Sequence, residues 1–300
     1  MDIRQLDALL AIAEHKTFSS AARSLHTVQS NVSKHIARLE EELGARLVDR
    51  DAGTLTEEGE AVAARARRIR AETDAIADDM AAMRDDISGV TRLGTIDSTA
   101  RWLIPIVLPA LEAKYPNVRL EILTATTTSL LPQVVAGNLH SAVVNLPLRD
   151  PEIRAEELFG EDRLLIAPPD HPLARKSAVT PAELSRHELL LPPPGTAFRD
   201  EIDSELKNQG VELTTRAEID GMRMIATLVL TGFGAAILPA TAAPDNGPWR
   251  RIPITGLVRR SVGLIVSRRV APSAVTRAVR DVIFEVVGTH GYNQAGVYPS

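Results

Sequence analysis

The stretch that decides the fold is TVQSNVSKHIARLEEELG, residues 27–44. Its apolar residues recur at a spacing of four, three and four, on one face of an α-helix: Val32, Ile36, Leu39 and Leu43. The opposite face begins with small polar side chains and continues with cations: Ser30, Ser33, Lys34, Ala37, Arg38 and Glu41. Such a face can approach a nucleic-acid groove at one end and contact phosphates further along. Because an isolated charged face is more often simply solvated, the neighbouring sequence has to distinguish the two interpretations.

Two shorter helices precede this one. The first carries its apolar residues within positions 3–13, and the second covers about residues 19–26 with Thr17 or Ser19 as its N-cap. A short helix, a turn of about three residues and a second helix with a polar outer face form a helix-turn-helix, whose second helix enters the major groove of DNA. After Gly44, a tight turn around Ala52 and Gly53 between two short strands predicts a wing, which ends at the helix cap TEEG.

A long helix is predicted from Glu57 to about Asp86, since neither Pro nor Gly interrupts the sequence after Gly59. Its apolar positions alternate between spacings of four and three, which is a heptad seam: Val62, Ala66, Ile69, Thr73, Ile76, Met80, Met83 and Ile87. A seam of this length requires a second helix, either from another chain or from the following domain. We favour a homodimer.

From about residue 91 the pattern changes to apolar strands alternating with helices. Strands are expected near residues 93–97, 118–123, 141–145, 164–167, 189–191, 214–219, 235–238 and 262–267, and a last helix over 272–287. The alternation predicts an open, mostly parallel sheet, and its length favours two lobes with a ligand cleft between them. The tail that follows lacks periodicity and is expected to be loose.

Composition narrows the function classes. The chain has 300 residues, 44% of them apolar, which is enough for two or three compact units. It has no cysteine, which excludes disulfides, thiolate zinc sites and a cysteine redox sensor and is compatible with a reducing cytoplasm. The net charge of −5 gives no global basic surface, so any DNA contact must come from local placement of cations.

Two segments bear on export and on membrane insertion. The N-terminus carries charges throughout its first turns and has no signal-peptide layout, so export is not expected. Residues 224–243 contain no charge, but Gly232, Gly234 and Pro239 interrupt them. They predict a helix followed by a buried strand in a soluble α/β fold rather than a membrane span.

Six motifs occur in this order along the chain: TFSSAARSLH, QSNVSKHIARLEEELGARLVDR, LTEEG, YPNVRLEI, LLPQVVAGNLHSAVV and TGFGAAILP. In these motifs the chain resembles LysR-type transcriptional regulators over essentially its whole length. The resemblance implies an α/β protein with an N-terminal winged helix-turn-helix, a long linker helix that dimerises, and a C-terminal two-lobed effector domain like a periplasmic binding protein, commonly in homotetramers. The implied boundaries are 1–58, 59–90 and 91–300, with lobe I at about 91–163 and 268–288 and lobe II at about 164–267.

The resemblance also implies contacts to double-stranded promoter DNA. The residues placed by position against base edges and backbone are Gln29, Ser30, Ser33 and Lys34, with Arg38 and Arg50 on phosphates. This fits the ability of Gln to read adenine, of Lys to approach guanine and of Arg to supply positive charge to phosphates.

The chain departs from the family pattern at four places. Val28 stands where a Ser usually caps the third helix, so Thr27 serves instead or the helix start is shifted. Lys34 and His35 replace an Arg-Gln pair, which loses a fork-shaped donor. The short wing has no basic residue, so weak minor-groove contact is expected. His140 stands where the family often has Asp, so that turn is expected to be bonded differently.

Candidate effector residues follow predicted strand ends. TIDSTARW places Ser98 and Thr99 at a helix N-terminus with Arg101 nearby, TATTTSLL places Thr127 at the matching family position, and PPPGTAF offers Thr196 and Phe198 from the other lobe. Each hydroxyl alone could be an ordinary N-cap. Together they predict a site for a small carboxylate or a similarly polar anion.

The sequence contains little that resembles a catalytic motif. SELK, residues 204–207, matches a serine/lysine nucleophile pattern but lies in an amphipathic helix without companion motifs. No metal-binding histidine pair, P-loop or dinucleotide-binding glycine motif occurs, so no metal, cofactor or enzymatic activity is predicted. We therefore predict a cytoplasmic transcriptional regulator controlled by a small-molecule effector. The alternative is a cytoplasmic small-molecule-binding or enzymatic α/β protein whose helix-turn-helix makes protein contacts.

Overall fold

Three helices at the N-terminus pack their apolar faces into one small core in the computed structural model, which describes residues 1–50, 52–83, 87–242 and 247–300. They are α1 (Ile3–His15), α2 (Phe18–Ser24) and α3 (Gln29–Leu43). Val32, Ile36 and Leu39 are fully buried, which confirms the predicted stripe, whereas Leu43 is 42% exposed because it lies in the last turn, beyond the core.

The helix caps of this domain match the sequence only in part. The Thr17 hydroxyl accepts a hydrogen bond from Ser20 N at 3.1 Å, as predicted. For α3 the N-cap is Val28, whose side chain makes no capping bond. Thr27 does not replace it, because its hydroxyl accepts from the side chain of Asn31 instead. Among the residues that the structure describes, no side chain caps the first backbone N–H groups of α3.

The wing consists of β1 (Val48–Asp49) and β2 (Thr54–Leu55), paired antiparallel. Of the predicted turn, Asp51 lies outside the described residues, and Gly53 adopts φ 67°. A Cβ at Gly53 would lie 2.2 Å from the Lys16 carbonyl oxygen, so only glycine fits this close approach.

The linker helix α4 (Glu57–Ala82) begins after Thr56, whose hydroxyl accepts from Gly59 N at 3.0 Å, and its predicted end at Asp86 lies outside the described residues. The start of the heptad seam is covered within the chain, where Ala66 is buried against the N-terminal core. Further along, Ile69, Ile76, Met80 and Met83 are 42%, 66%, 44% and 77% exposed, whereas Ile87 is half-buried.

Two sheets follow, one in each lobe. The first lobe contains a six-stranded sheet in the order β13-β6-β12-β5-β3-β4. Its strands are β3 (Gly89–Thr95), β4 (Val118–Thr124), β5 (Ser141–Leu146), β6 (Ile153–Glu161), β12 (Arg260–Ser267) and β13 (Val297–Pro299), and its helices are α5 (Asp97–Lys114), α6 (Thr127–Ala136) and α10 (Ala274–His290).

The second lobe contains a five-stranded sheet in the order β11-β7-β10-β8-β9. Its strands are β7 (Arg163–Ala167), β8 (Glu188–Leu191), β9 (Thr214–Glu218), β10 (Ala235–Pro239) and β11 (Arg250–Pro253), and its helices are α7 (Pro181–Leu184), α8 (Ala197–Lys207) and α9 (Met222–Leu230). The apolar stretch that begins at Met224 is therefore shared between α9 and the buried β10. Within the described ranges, no helix is both long and apolar enough to cross a membrane.

Three expectations about the effector domain were wrong. Both sheets are mixed rather than mostly parallel, because β6, β7, β11, β12 and β13 pair antiparallel. Strand β12, expected in the second lobe, lies between β5 and β6 in the first. The tail is not loose: β13 pairs with β6, and Tyr298 donates its hydroxyl to Asp162 at 2.9 Å. Strand β6 is rich in charges, so the apolar pattern did not predict this partner for the tail.

The linker helix also contacts the first lobe. Asp79 accepts from Ala274 N at 3.0 Å and from Arg277 Nη2 at 3.1 Å, so it caps the start of α10. Arg68 donates to the Val135 carbonyl at 3.2 Å. At the middle of the linker helix, Arg70 donates to Asp7 of α1 at 3.1 Å. A shift of the first lobe would therefore reach the N-terminal domain through α4.

Candidate functional site

The outer face of α3 carries two exposed cations. Gln29, Ser30, Lys34 and Arg38 are exposed and Ser33 is half-buried. Neither Lys34 nor Arg38 forms an ion pair with any residue in the described part of the chain. These side chains and the uncapped first turn together present hydrogen-bond donors and positive charge on a protein whose net charge is −5.

Arg50 lies at the edge of this face. Its Nη2 is 3.8 Å from Glu40 Oε2, and its guanidinium lies 5.9 Å from the centre of the Phe18 ring. Sequence reasoning assigned no role to Glu40, yet its Oε1 accepts from Leu47 N at 2.9 Å and from Val48 N at 3.3 Å. Glu40 therefore ties the wing to α3 and positions Arg50.

A cavity of about 270 Å³ lies between the two lobes. Four of the six predicted effector residues line it: Ser98, Thr127, Thr196 and Phe198. The N-termini of α5 and α6 both reach this cavity, since Asp97 and Thr127 are their first residues. The positive ends of two helices therefore face one small space.

Two of the predicted lining hydroxyls, those of Ser98 and Thr127, do not cap the helices to which they belong. Ser98 Oγ accepts from Arg260 Nη2 at 3.0 Å, and Thr127 Oγ1 accepts from Asn145 N at 3.2 Å. The cap of α6 is Thr126, one residue earlier. Because internal donors occupy oxygen lone pairs of Ser98 and Thr127, the hydroxyl protons of both remain available to a ligand.

Thr99 and Arg101 do not line the cavity. Thr99 is fully buried beneath the first turn of α5. Arg101 Nη1 donates to the Ala242 carbonyl at 3.1 Å, and Asp97 accepts from Arg223 of α9 at 2.8 Å. Arg101 and Asp97 thus form two ties between the lobes at the edge of the cleft.

Sequence reasoning missed the charged group of the cleft, Arg260. This residue lines the cavity, is 5% exposed, and donates through Nε to Glu161 Oε2 at 2.7 Å. The other Glu161 oxygen accepts from Thr241 N at 2.6 Å. Arg259 and Arg260 are adjacent in the sequence, and the structure shows that Arg260 is buried at the cavity whereas Arg259 is exposed and pairs with Asp162. Burial raises the pKa of the nearby Glu201 carboxyl, although the Arg260 and Arg163 guanidinium groups oppose this shift.

His140 lies away from the cleft, under the linker helix. Burial, with a smaller contribution from the Arg92 charge, lowers its pKa to about 4. Its Nδ1 accepts from Arg92 N at 3.2 Å, which is compatible with a neutral ring. Across the described ranges, no group of three or more His, Cys, Asp or Glu side chains is placed to hold a metal ion.

Comparison with known proteins gives consistent matches over both parts of the chain. Residues 3–60 match the model of bacterial regulatory helix-turn-helix proteins of the lysR family, and residues 84–288 match the LysR substrate binding domain. A probable hydrogen peroxide-inducible genes activator from Streptomyces viridosporus is 31% identical, over 95% of this chain and 96% of that protein. The DNA-binding transcriptional dual regulator OxyR of Escherichia coli is 30% identical, over 88% and 89%.

Solved structures show the same fold. Full-length OxyR from Pseudomonas aeruginosa, with a cysteine replaced by aspartate, superposes with a TM-score of 0.79 at 24% identity, covering 95% of this chain and 98% of that one. Full-length CbnR complexed with its target DNA gives a TM-score of 0.69 at 24% identity, covering 95% and 99%.

Proposed function

Because the chain belongs to the LysR family of DNA-binding transcriptional regulators, which are not enzymes, we propose that it binds promoter DNA through α3 and responds to a small anionic effector in the interlobe cleft. The observation that carries the DNA-binding surface is that Lys34 and Arg38, on the exposed face of α3, form no ion pair within the part of the chain that the structure describes. Gln29, Ser30 and Ser33 would contact base edges and backbone. The proposed site of action is the cytoplasm.

The proposed assembly is a homodimer joined by α4, with two dimers forming a homotetramer as the family resemblance implies. The support is the exposed part of the heptad seam, from Ile69 to Met83. Pairing two such helices around a two-fold axis would bury these side chains and place two copies of α3 on one DNA duplex.

Effector binding would act through lobe packing. A ligand in the cleft lies beside the interlobe ties of Asp97 with Arg223 and Arg101 with Ala242, so it would change the relative position of the lobes. The change would reach α4 through Asp79 and alter the spacing of the paired DNA-binding domains.

Relatives named for induction by hydrogen peroxide raise the question of a peroxide response. This chain contains no cysteine, so oxidation of a thiol cannot be its signal. We therefore propose reversible ligand binding, rather than covalent oxidation of a thiol, as the event in the cleft.

The test of DNA binding is fluorescence anisotropy on duplexes that tile the intergenic DNA upstream of the gene, at several salt concentrations. We expect saturable binding to one tile that weakens with salt. The double substitution Lys34→Ala/Arg38→Ala should weaken DNA binding. It should also make the negative slope of log affinity against log salt less steep, by about 0.9 for each phosphate that the variant no longer neutralises. The control Arg119→Ala/Arg154→Ala removes the same charge from exposed positions on the first lobe and should leave the slope unchanged.

The alternative of a binding protein whose helix-turn-helix makes only protein contacts gives a different result. It predicts no salt-sensitive DNA binding by the wild type. If binding occurs but the α3 variant matches the wild type, then Lys34 and Arg38 do not contact DNA.

A further inference from the structure

A cavity of about 500 Å³, which we call the junction cavity, lies outside the interlobe cleft, where three parts of the chain meet. Helix α1 borders it on one side, the linker helix α4 on another, and strands β3 and β4 with the turn before β5 on the third. Three cations and three carboxylates belong to its lining: Arg67, Arg70, Arg92, Glu14, Asp74 and Glu121. A ligand that matches this lining carries charges of both signs.

Two hydrogen-bond donors meet on the first-lobe side of the junction cavity. His140 Nδ1 accepts from Arg92 N at 3.2 Å and lies 3.1 Å from the Thr91 hydroxyl. Burial, together with the Arg92 charge, lowers the pKa of His140 to about 4, so the ring is neutral and carries its proton on Nε2. Nε2 lies 3.3 Å from Arg92 Nη2, which is also a donor. The two groups cannot bond to each other, and neither has an acceptor among the described residues, so they suit one shared anion.

A carboxylate on α4 offers the complementary acceptor. Asp74 Oδ2 is 4.0 Å from Arg70 Nε, which is beyond hydrogen-bond distance, and Arg70 bonds to Asp7 through Nη1 instead. Within the described part of the chain, the Asp74 carboxylate therefore accepts no hydrogen bond. Its charge opposes the lowering of the His140 pKa, so the two side chains are near each other. One small molecule can thus place a cation beside Asp74 and an anion beside Arg92.

The junction cavity stays accessible in the dimer proposed above. Successive residues of an α-helix are about 100° apart, so Asp74 lies roughly 160° around α4 from Ile76. The exposed seam from Ile69 to Met83 is therefore on the opposite side of the helix. The Asp74 side chain is 66% exposed in the single chain.

A neighbouring cavity of about 290 Å³ adds an apolar compartment between α4 and the first lobe. It shares Asp74, Val90 and His140 with the junction cavity. Most of its other lining residues are aliphatic, and Val134 and Leu139 are among them. A short branched hydrocarbon group therefore fits beside the charged groups.

We propose that the junction cavity binds a free α-amino acid with a branched apolar side chain. The carboxylate of the amino acid accepts from Arg92 Nη2 and His140 Nε2, and its ammonium group donates to Asp74. Its side chain enters the neighbouring aliphatic cavity. Because α1, α4 and the first lobe all border the site, the bound amino acid fixes the N-terminal domain against the effector domain. This site shares no lining residue with the interlobe cavity within the described ranges.

The experiment is isothermal titration calorimetry of the full-length protein with L-leucine and L-valine. Two analogues of leucine each lack one charge: leucinamide lacks the carboxylate, and isocaproate lacks the ammonium group. The test variants are Arg92→Met and Asp74→Asn, which change exposed side chains and so leave the core intact. The matched controls are Arg154→Met on β6 and Asp281→Asn on α10, whose side chains are 66% and 60% exposed.

We expect leucine or valine to bind the wild type and both controls equally, and both analogues to bind the wild type more weakly than leucine. Each test variant should bind the amino acid roughly tenfold more weakly, because it loses a hydrogen bond to a charged group. Arg92→Met should no longer prefer leucine over leucinamide, and Asp74→Asn should no longer prefer leucine over isocaproate. Equal wild-type affinity for leucine and its analogues, an unaffected test variant, or no binding of either amino acid up to about 10 mM overturns the proposal.

One further variant separates this site from the interlobe cleft. Thr127→Val removes a hydroxyl that lines the interlobe cavity and keeps the shape of the side chain. It should leave the affinity for the amino acid unchanged. If Thr127→Val abolishes binding while Arg92→Met retains it, the amino acid occupies the interlobe cleft and the junction site is wrong.

Discussion

Replacing Ile76 by Asp should separate the proposed dimer. Ile76 is 66% exposed in the single chain, and full burial of an isoleucine side chain stabilises by about 1.5–3 kcal/mol. Covering its exposed two-thirds is thus worth about 1–2 kcal/mol per chain, and a two-fold interface contains the residue twice. Each carboxylate placed in the seam adds at least about 1 kcal/mol of desolvation. The total of about 4–6 kcal/mol corresponds to a dimer Kd raised roughly a thousandfold or more.

The assay is sedimentation velocity over a range of protein concentrations. The matched control is Ile3→Asp, the same substitution at an isoleucine that is 50% exposed on α1, outside the seam. We expect the control to associate like the wild type while Ile76→Asp is displaced to smaller species. A dimer Kd for Ile76→Asp within about threefold of the wild type would show that the seam is not the interface, because that change is under 1 kcal/mol.

Two further predictions concern stability. Val28→Ser should stabilise the N-terminal domain by about 0.5–1 kcal/mol, because Ser supplies the missing cap of α3 and little burial is removed at a side chain that is 59% exposed; a melting temperature at or below that of the wild type would contradict this. His140→Asn keeps an acceptor for Arg92 N but removes a group whose pKa is about 4 when folded against about 6.5 when unfolded. Since the unfolded wild type binds more protons between these pH values, wild-type stability should fall by up to roughly 3 kcal/mol as the pH drops through that window. Urea unfolding at pH 7 and pH 5 should show a smaller loss for His140→Asn, and equal losses would refute the assignment.

The spacing of apolar residues predicted secondary structure best where the contacts join residues close in sequence. Val32, Ile36 and Leu39 form one buried stripe as expected, and the caps at Thr17 and Thr56 lie within three residues of the N–H groups that they bind. In the effector domain, the strands with continuous apolar runs were predicted near the positions where the structure places them. The pattern missed three strands: β6, whose charges hide a strand, the short β11, and β13, whose three residues pair with an edge far away in sequence.

The sequence alone determined the helix-turn-helix, the start of the linker helix at Glu57, the absence of a reactive thiol and four residues of the cleft. These features depend on residue type and on spacing along one helix or strand. Only the tertiary structure decided that β12 belongs to the first lobe, that Arg101 ties the lobes, and that Arg260 rather than Arg259 faces the cavity. The physical reason is that Arg260 and its partner Glu161 are 99 residues apart, and a buried ion pair of this kind forms only when two strands pair.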